Sequence, residues 1–96
     1  MSRAQWDELK RSRASEPAVR EGYEQARRAF ELGQQVRALR IARGLTQAQL
    51  ARMVGTSQAA IARLEAGGVD PRLQTLARLG EALGAELIVR FQTSAA

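Results

Sequence analysis

The sequence predicts a mainly α-helical protein of one domain, and three observations lead to that prediction. The 96-residue chain holds 18 alanines and 14 arginines but only two prolines, a composition that favours helices. Its apolar residues mostly recur every three or four positions, as they do along one face of an α-helix. Glycines and capping residues separate these periodic segments from one another, so the elements can be assigned in chain order.

Two helices are predicted ahead of Gly33. Ser2 and Gln5 have the spacing of a capping box, so the first helix starts there and carries Trp6 and Leu9. Ser15 and Pro17 indicate a second start, because proline is tolerated in the first turn of a helix. The apolar stripe of this second helix consists of Val19, Tyr23, Ala26 and Phe30.

Gly33 is expected to break or bend the chain, and Gly44 to end the next helix. The apolar positions of that helix are Leu32, Val36 and Leu39. Thr46 and Gln49 again have capping-box spacing, which starts a helix that runs to about Val54.

A further helix is predicted after the turn at Gly55. It is capped by Thr56 or Ser57, runs through Ala66 and ends at the glycine pair 67–68.

Asp70 and Pro71 mark the start of the last helix, and Gly84 marks its end. The segment that follows alternates apolar and polar residues and is the one strand candidate in the sequence. A single strand cannot satisfy its own backbone groups, so we expect it to pair antiparallel with the same segment of a second copy. The residues expected to make this dimer contact are Leu87, Val89 and Phe91.

Residues 47–66 have the pattern of a helix-turn-helix unit. The small side chain of Ala51 suits a close helix crossing, and Gly55 suits the positive φ of a tight turn. The inward apolar positions of the two helices are Leu50, Val54, Ile61 and Leu64. Because these features occur together, a helix-turn-helix unit is favoured over two helices of a plain bundle.

Three runs of this sequence resemble the lambda-repressor-like, or XRE, family: residues 44–51 (GLTQAQLA), 54–58 (VGTSQ) and 61–67 (IARLEAG). The resemblance covers about residues 33–84 and implies a compact five-helix domain whose third helix enters the DNA major groove. It also implies an ion pair between Arg40 and Glu65, which we interpret as structural. The wider context is similar to HigA-type antitoxins, in which a helical extension precedes the domain.

The DNA-facing side of the second helix of the motif follows from its rotation of about 100° per residue. Ala60, Ile61 and Leu64 define the inward side, and Ala66 lies opposite them. The predicted base-reading residues are Gln58, Ala59, Ala62 and Arg63. Arginine suits guanine, glutamine suits adenine and alanine can meet a thymine methyl group. The alternative for Arg63 is a solvated charge.

Phosphate contacts are expected at the ends of helices, where free N–H groups and the helix dipole attract anions. The residues predicted for this role are Gln47, Ser57, Arg43 and Arg72. Solvation is the alternative for each of them.

The first 32 residues are too apolar for a simple tail. The antitoxin resemblance implies that they dock a RelE/HigB-like toxin, and aromatic residues are common anchors at such interfaces. The candidate toxin-binding residues are Trp6, Leu9, Val19, Tyr23 and Phe30. The alternative is that these side chains fold back onto the DNA-binding domain.

Charge and composition limit the functional classes. A net charge of +5, with no acidic residue between Glu31 and Glu65, favours a polyanionic partner. The chain has no histidine or cysteine, which argues against an enzyme, a metal site or a cofactor. No segment has the pattern of a signal peptide or a membrane span, so a cytoplasmic protein without a membrane partner is expected.

Together these observations predict a DNA-binding antitoxin that neutralises a RelE/HigB-like toxin and represses its own operon. Its partners would be the toxin, a palindromic double-stranded operator and a second copy in a homodimer. The alternatives are a free-standing XRE-type transcriptional regulator and a protein-binding module without DNA affinity. The predicted organisation is an N-terminal extension (1–32), a helix-turn-helix domain (33–84), a dimerisation strand (85–92) and a disordered tail (93–96).

Overall fold

The structure, a computed structural model, describes residues 2–13 and 17–94, without the side chains of residues 9–13. That part of the chain contains five helices: α1 (Arg3–Arg13), α2 (Pro17–Ala42), α3 (Gln47–Val54), α4 (Gln58–Glu65) and α5 (Leu73–Leu83). The mainly helical class predicted from the sequence is confirmed. Three predictions concern positions outside the described residues: the side chain of Leu9, the cap at Ser15 and the last two residues of the tail. No helix in the described ranges has the length and apolar character needed to cross a membrane.

Local capping chemistry sets several helix starts. At α1 the Ser2 N–H donates to Gln5 Oε1 (2.7 Å) and the Gln5 N–H donates to Ser2 Oγ (3.3 Å). The same reciprocal pair forms at α3, where the Thr46 N–H donates to Gln49 Oε1 (2.8 Å) and Thr46 Oγ1 accepts from the Gln49 N–H (3.0 Å). Of the two caps considered for α4, Ser57 is the N-cap.

The predicted break at Gly33 is wrong, because α2 runs through it without interruption for 26 residues. Gly33 is buried, and a Cβ atom there would collide with the carbonyl oxygens of Leu64 and Glu65. The glycine is therefore required by the close approach of α2 to the end of α4, while its own backbone stays helical. The segments predicted as separate helices on either side of Gly33 are one helix.

The core lies where the second half of α2 meets α3, α4 and α5. Its largest fully buried side chains are Leu50, Ile61 and Leu79, and burial of each contributes about 2 kcal/mol. Ala51 is 2% exposed where α3 and α4 pack, as its small size predicts. This core fixes α4 against its neighbours through one side of the helix.

Helix α5 begins two residues later than expected. Arg72 is its N-cap and makes no side-chain capping hydrogen bond, so the predicted cap at Asp70 is wrong. At the other end Gly84 adopts the left-handed conformation (φ 67°) that the C-terminal glycine predicts.

The predicted C-terminal strand does not form in this single chain, since residues 85–94 are in neither helix nor strand. The Ala85 N–H donates to the Gly80 carbonyl (2.8 Å), which holds the start of the segment on α5. Leu87 is half-buried, whereas Val89 and Phe91 are exposed. The physical reason is that a strand needs a second strand for its backbone hydrogen bonds, and the described residues offer none.

Candidate nucleic-acid interface

The turn between α3 and α4 sets the angle at which α4 leaves the core. Gly55 has a φ of 76°, a conformation that favours glycine, and its N–H donates to the Ala51 carbonyl. The Thr56 N–H donates to the same carbonyl at 2.9 Å. Ser57 then caps the start of α4, so a tight turn closed by these two hydrogen bonds joins the two eight-residue helices.

Helix α4 has a buried side and an outward side. Ile61, Leu64 and Glu65 are buried. The predicted base-reading residues occupy the rest of the helix: Gln58, Ala59 and Arg63 are exposed, and Ala62 is half-buried. The side chain of Arg63 makes no hydrogen bond or ion pair with another described residue. The outward side is thus a surface of small residues with an unpaired guanidinium group.

A salt bridge fixes the end of α4 to α2 and α3. Arg40 Nε donates to Glu65 Oε2 (2.7 Å) and Arg40 Nη2 donates to Glu65 Oε1 (3.1 Å), with the two side chains 12% and 4% exposed. Arg40 Nη1 also donates to the Leu45 carbonyl (2.8 Å), and Gln47 Nε2 donates to Glu65 Oε1 (3.2 Å). The hydrogen bonds that Arg40 donates to Glu65 raise the pKa of Arg40 above its ordinary value. The structure therefore brings the two residues together as part of the scaffold.

The residues predicted to contact phosphate lie in different surroundings. Ser57 Oγ accepts from the Ala60 N–H (3.1 Å), which leaves its O–H able to donate to an anion. The side chain of Gln47 is held by Glu65, while its backbone N–H lies in the first turn of α3, where helix N–H groups can meet an anion. Arg72 is exposed at the uncapped start of α5.

Arg43 lies apart from this set. Its guanidinium group lies against Gly84, at the C-terminal end of α5. A cation there interacts favourably with the carbonyl end of the helix dipole. The side chain of Arg43 therefore reaches from the α2–α3 turn to the end of α5.

Arg37 was not among the site residues predicted from the sequence, although the structure places it next to α4. It lines a shallow groove between α2 and α4 together with Gln47, Ala62 and Ala66. The sequence could have indicated this position, because Arg37 lies one turn before Arg40 on α2 and residues three apart on a helix share a face.

The aromatic residues of the extension pack on one another. Trp6 of α1 meets Tyr23 of α2 edge to face, with ring centroids 5.0 Å apart, and Phe30 lies 6.1 Å from Trp6. Trp6 and Tyr23 are buried, Phe30 is half-buried, and the backbone of Phe30 also lies against Gly67 after α4. Val19 is half-buried as well. These aromatic side chains therefore pack mainly on one another, and Phe30 also lies against the segment that follows α4.

Comparison with known proteins assigns this site to a class. The sequence pattern of the helix-turn-helix family matches residues 36–88, just over half of the chain, so the protein belongs to this family of DNA-binding regulators. Among solved structures the chain is similar to the restriction-modification controller protein C.AhdI from Aeromonas hydrophila, at 31% identity and a TM-score of 0.62. That similarity covers 64% of this chain and 88% of C.AhdI. No curated protein matches the sequence at a significant level.

Proposed function

We propose that the protein is a transcriptional regulator that recognises a specific duplex sequence with α4 in the major groove. The observation that supports this most is the outward side of α4, where small side chains surround the unpaired guanidinium group of Arg63. Small residues allow the helix to approach the base edges, and a free guanidinium group can bind guanine through two hydrogen bonds. Arg63, Gln58, Ala59 and Ala62 are the proposed base-reading residues.

The contacts that orient the protein on DNA are proposed to involve phosphate oxygens. They would come from the Ser57 hydroxyl, the first turn of α3 at Gln47, and Arg72. Arg43 is the weakest member of the predicted set, because its guanidinium group lies at the end of α5. The likeness to a controller protein supports the free-standing regulator over the antitoxin.

The regulator is proposed to act as a homodimer on a palindromic operator. The exposed fractions of Val89 and Phe91 are 64% and 106%, so the C-terminal segment presents apolar residues that a single chain does not cover. Pairing with the same segment of a second copy would satisfy both backbone edges and cover these side chains.

Toxin neutralisation is a second proposal, which rests on one observation. Helix α1 and the first half of α2 precede the family match at residue 36, so DNA binding does not account for them. The aromatic residues are mostly buried against one another, so a toxin would have to bind the exposed positions of these helices instead. Co-expression with a candidate toxin encoded beside the gene tests the idea: if the full chain gives no protection, the proposal fails.

The substitution Arg63→Ala tests the proposed reading of DNA. We expect it to weaken binding to the preferred duplex by about 1–3 kcal/mol, because a bidentate contact to guanine is lost. Binding to random duplex should change much less, since that binding depends on phosphate contacts. Competition titrations with both duplexes measure the two effects, and equal losses would make Arg63 a phosphate contact.

A further inference from the structure

The groove between α2 and α4 opens beside the outward side of the recognition helix. Gln34, Arg37 and Arg40 of α2 form one wall, and Ala62 and Ala66 of α4 form the other. Gln47 also lines the groove, and its backbone N–H lies in the first turn of α3. The groove therefore joins the proposed base-reading surface to a helix start that suits an anion.

The two arginines that line this groove differ in whether their positive charge is paired. The guanidinium group of Arg40 is bound by both carboxylate oxygens of Glu65, and the amide of Gln34 donates to the Glu65 carbonyl at 3.3 Å. Arg37 is exposed, and its side chain has no hydrogen-bond or ion-pair partner among the described residues. It is the cation of this groove that remains available to an outside anion.

The position of Arg37 relative to α4 is rigidly set. Gly33, one turn earlier on α2, lies against the carbonyl oxygens of Leu64 and Glu65, and Arg40, one turn later, holds the Glu65 side chain. Arg37 thus projects from the stretch of α2 that is clamped to α4 at both ends. Because the backbone at Arg37 is already fixed, only the side chain has to be ordered when it binds a ligand.

We propose that α2 contributes Arg37 as a contact to the DNA phosphate backbone at the edge of the major groove. This inference rests on the proposed function, with α4 inserted in that groove. A helix with its side chains is about 10–12 Å wide and the major groove is about 12 Å wide, so elements beside the recognition helix meet the phosphates. Arg37 and the first turn of α3 would hold the same stretch of backbone, adding affinity without sequence preference.

Replacing Arg37 with glutamine, in parallel with Arg28→Gln, tests the contact. Arg28 is an exposed arginine on the same helix, but it lines a different groove, with Asp70 and Pro71. Both variants lose one positive charge, so a difference in duplex affinity between them shows that the position of the lost charge matters. Fluorescence anisotropy with labelled preferred and random duplexes, over a series of salt concentrations, gives the affinity and its salt dependence for each.

We expect Arg37→Gln to weaken binding to both duplexes by a similar factor, on the order of tenfold, and to lower the salt slope by about one. Arg28→Gln should change affinity much less and keep the slope. Arg37→Lys, which keeps the charge, should retain the wild-type slope, and thermal melting of each variant verifies that it is folded.

Three results would overturn the inference. If Arg37→Gln and Arg28→Gln lose the same affinity, net charge alone explains the effect. A loss confined to the preferred duplex would make Arg37 a base reader. If the wild-type protein shows no salt-dependent duplex binding, the proposed function fails together with this contact, whereas the first two results leave the proposed function intact.

Discussion

At the scale of single residues, the Arg40–Glu65 pair determines how firmly α4 is held. Glu65 is the one buried charged residue among the described positions, and its carboxylate accepts hydrogen bonds from Arg40 and Gln47. Removing one member of a buried pair leaves the other charge uncompensated, which costs far more than the pair itself contributes. The pair therefore joins the end of α4 to α2.

Glu65→Gln should lower the free energy of unfolding by about 3 kcal/mol, because the Arg40 guanidinium group loses its counter-charge in a mostly buried site. Urea denaturation measures the change. Glu31→Gln is the matched control, since it removes a carboxylate that pairs with Arg27 on the surface of α2 and is 55% exposed. That change should cost less than about 1 kcal/mol. Equal losses in the two variants would contradict the structural role of Glu65.

The sequence predicted the burial of residues well where burial depends on neighbours along the chain. The buried and exposed sides of α4 follow from helical rotation, and they agree with the observed exposure of Ile61, Leu64 and Arg63. The surroundings of a side chain were harder to predict where they depend on residues distant in the sequence. Arg43 was expected to face DNA because it precedes α3, but its guanidinium group lies at Gly84, more than forty positions away in the chain.

At the scale of elements, α2 shows how one glycine can have two interpretations. A glycine inside a helical pattern predicts a break when it is read locally. In the fold, Gly33 allows α2 to approach the backbone of α4 closely, and the helix continues through it. Which interpretation holds depends on what lies opposite the glycine, and the sequence does not contain that information.

Two alanine substitutions on α2 separate these interpretations. Gly33→Ala should lower the free energy of unfolding by about 1–3 kcal/mol, because the new Cβ overlaps the carbonyl oxygens of Leu64 and Glu65. Gly22→Ala, on the same helix, meets no atom within 4 Å and should raise it by up to about 1 kcal/mol through helix propensity. Thermal and urea unfolding report both changes. A stabilising Gly33→Ala would show that α2 and α4 are not in close contact.

The other elements could likewise be predicted where the residues that determine them are close together in the sequence, and not where a distant partner is needed. Capping boxes and C-terminal glycines involve residues within one turn, so the bounds of α3 and the end of α5 were predicted from sequence. The C-terminal strand was predicted from alternation alone, and alternation does not supply a partner strand. Residues 85–94 consequently take no regular structure in the single chain.

At the scale of the whole molecule, the helices form a helix-turn-helix domain and a packed extension. The core of α2–α5 holds α4, and α1 packs against the first half of α2 through Trp6. Because α2 belongs to both parts, the extension is joined to the recognition unit by a continuous helix. A partner bound to the extension would therefore be held in a fixed orientation relative to DNA.

Selection from a pool of random duplexes measures whether this protein recognises a specific duplex sequence. The wild-type protein should enrich an inverted repeat whose half-sites are centred about 34 Å apart, one turn of the double helix. Val89→Pro, which removes a backbone donor from the proposed pairing segment, should sediment as a monomer and bind this repeat more weakly. Enrichment of a single, asymmetric site would contradict the proposed dimer but not the proposed reading of DNA by α4. If repeated rounds of selection enrich no sequence at all, the claim that α4 reads DNA is wrong.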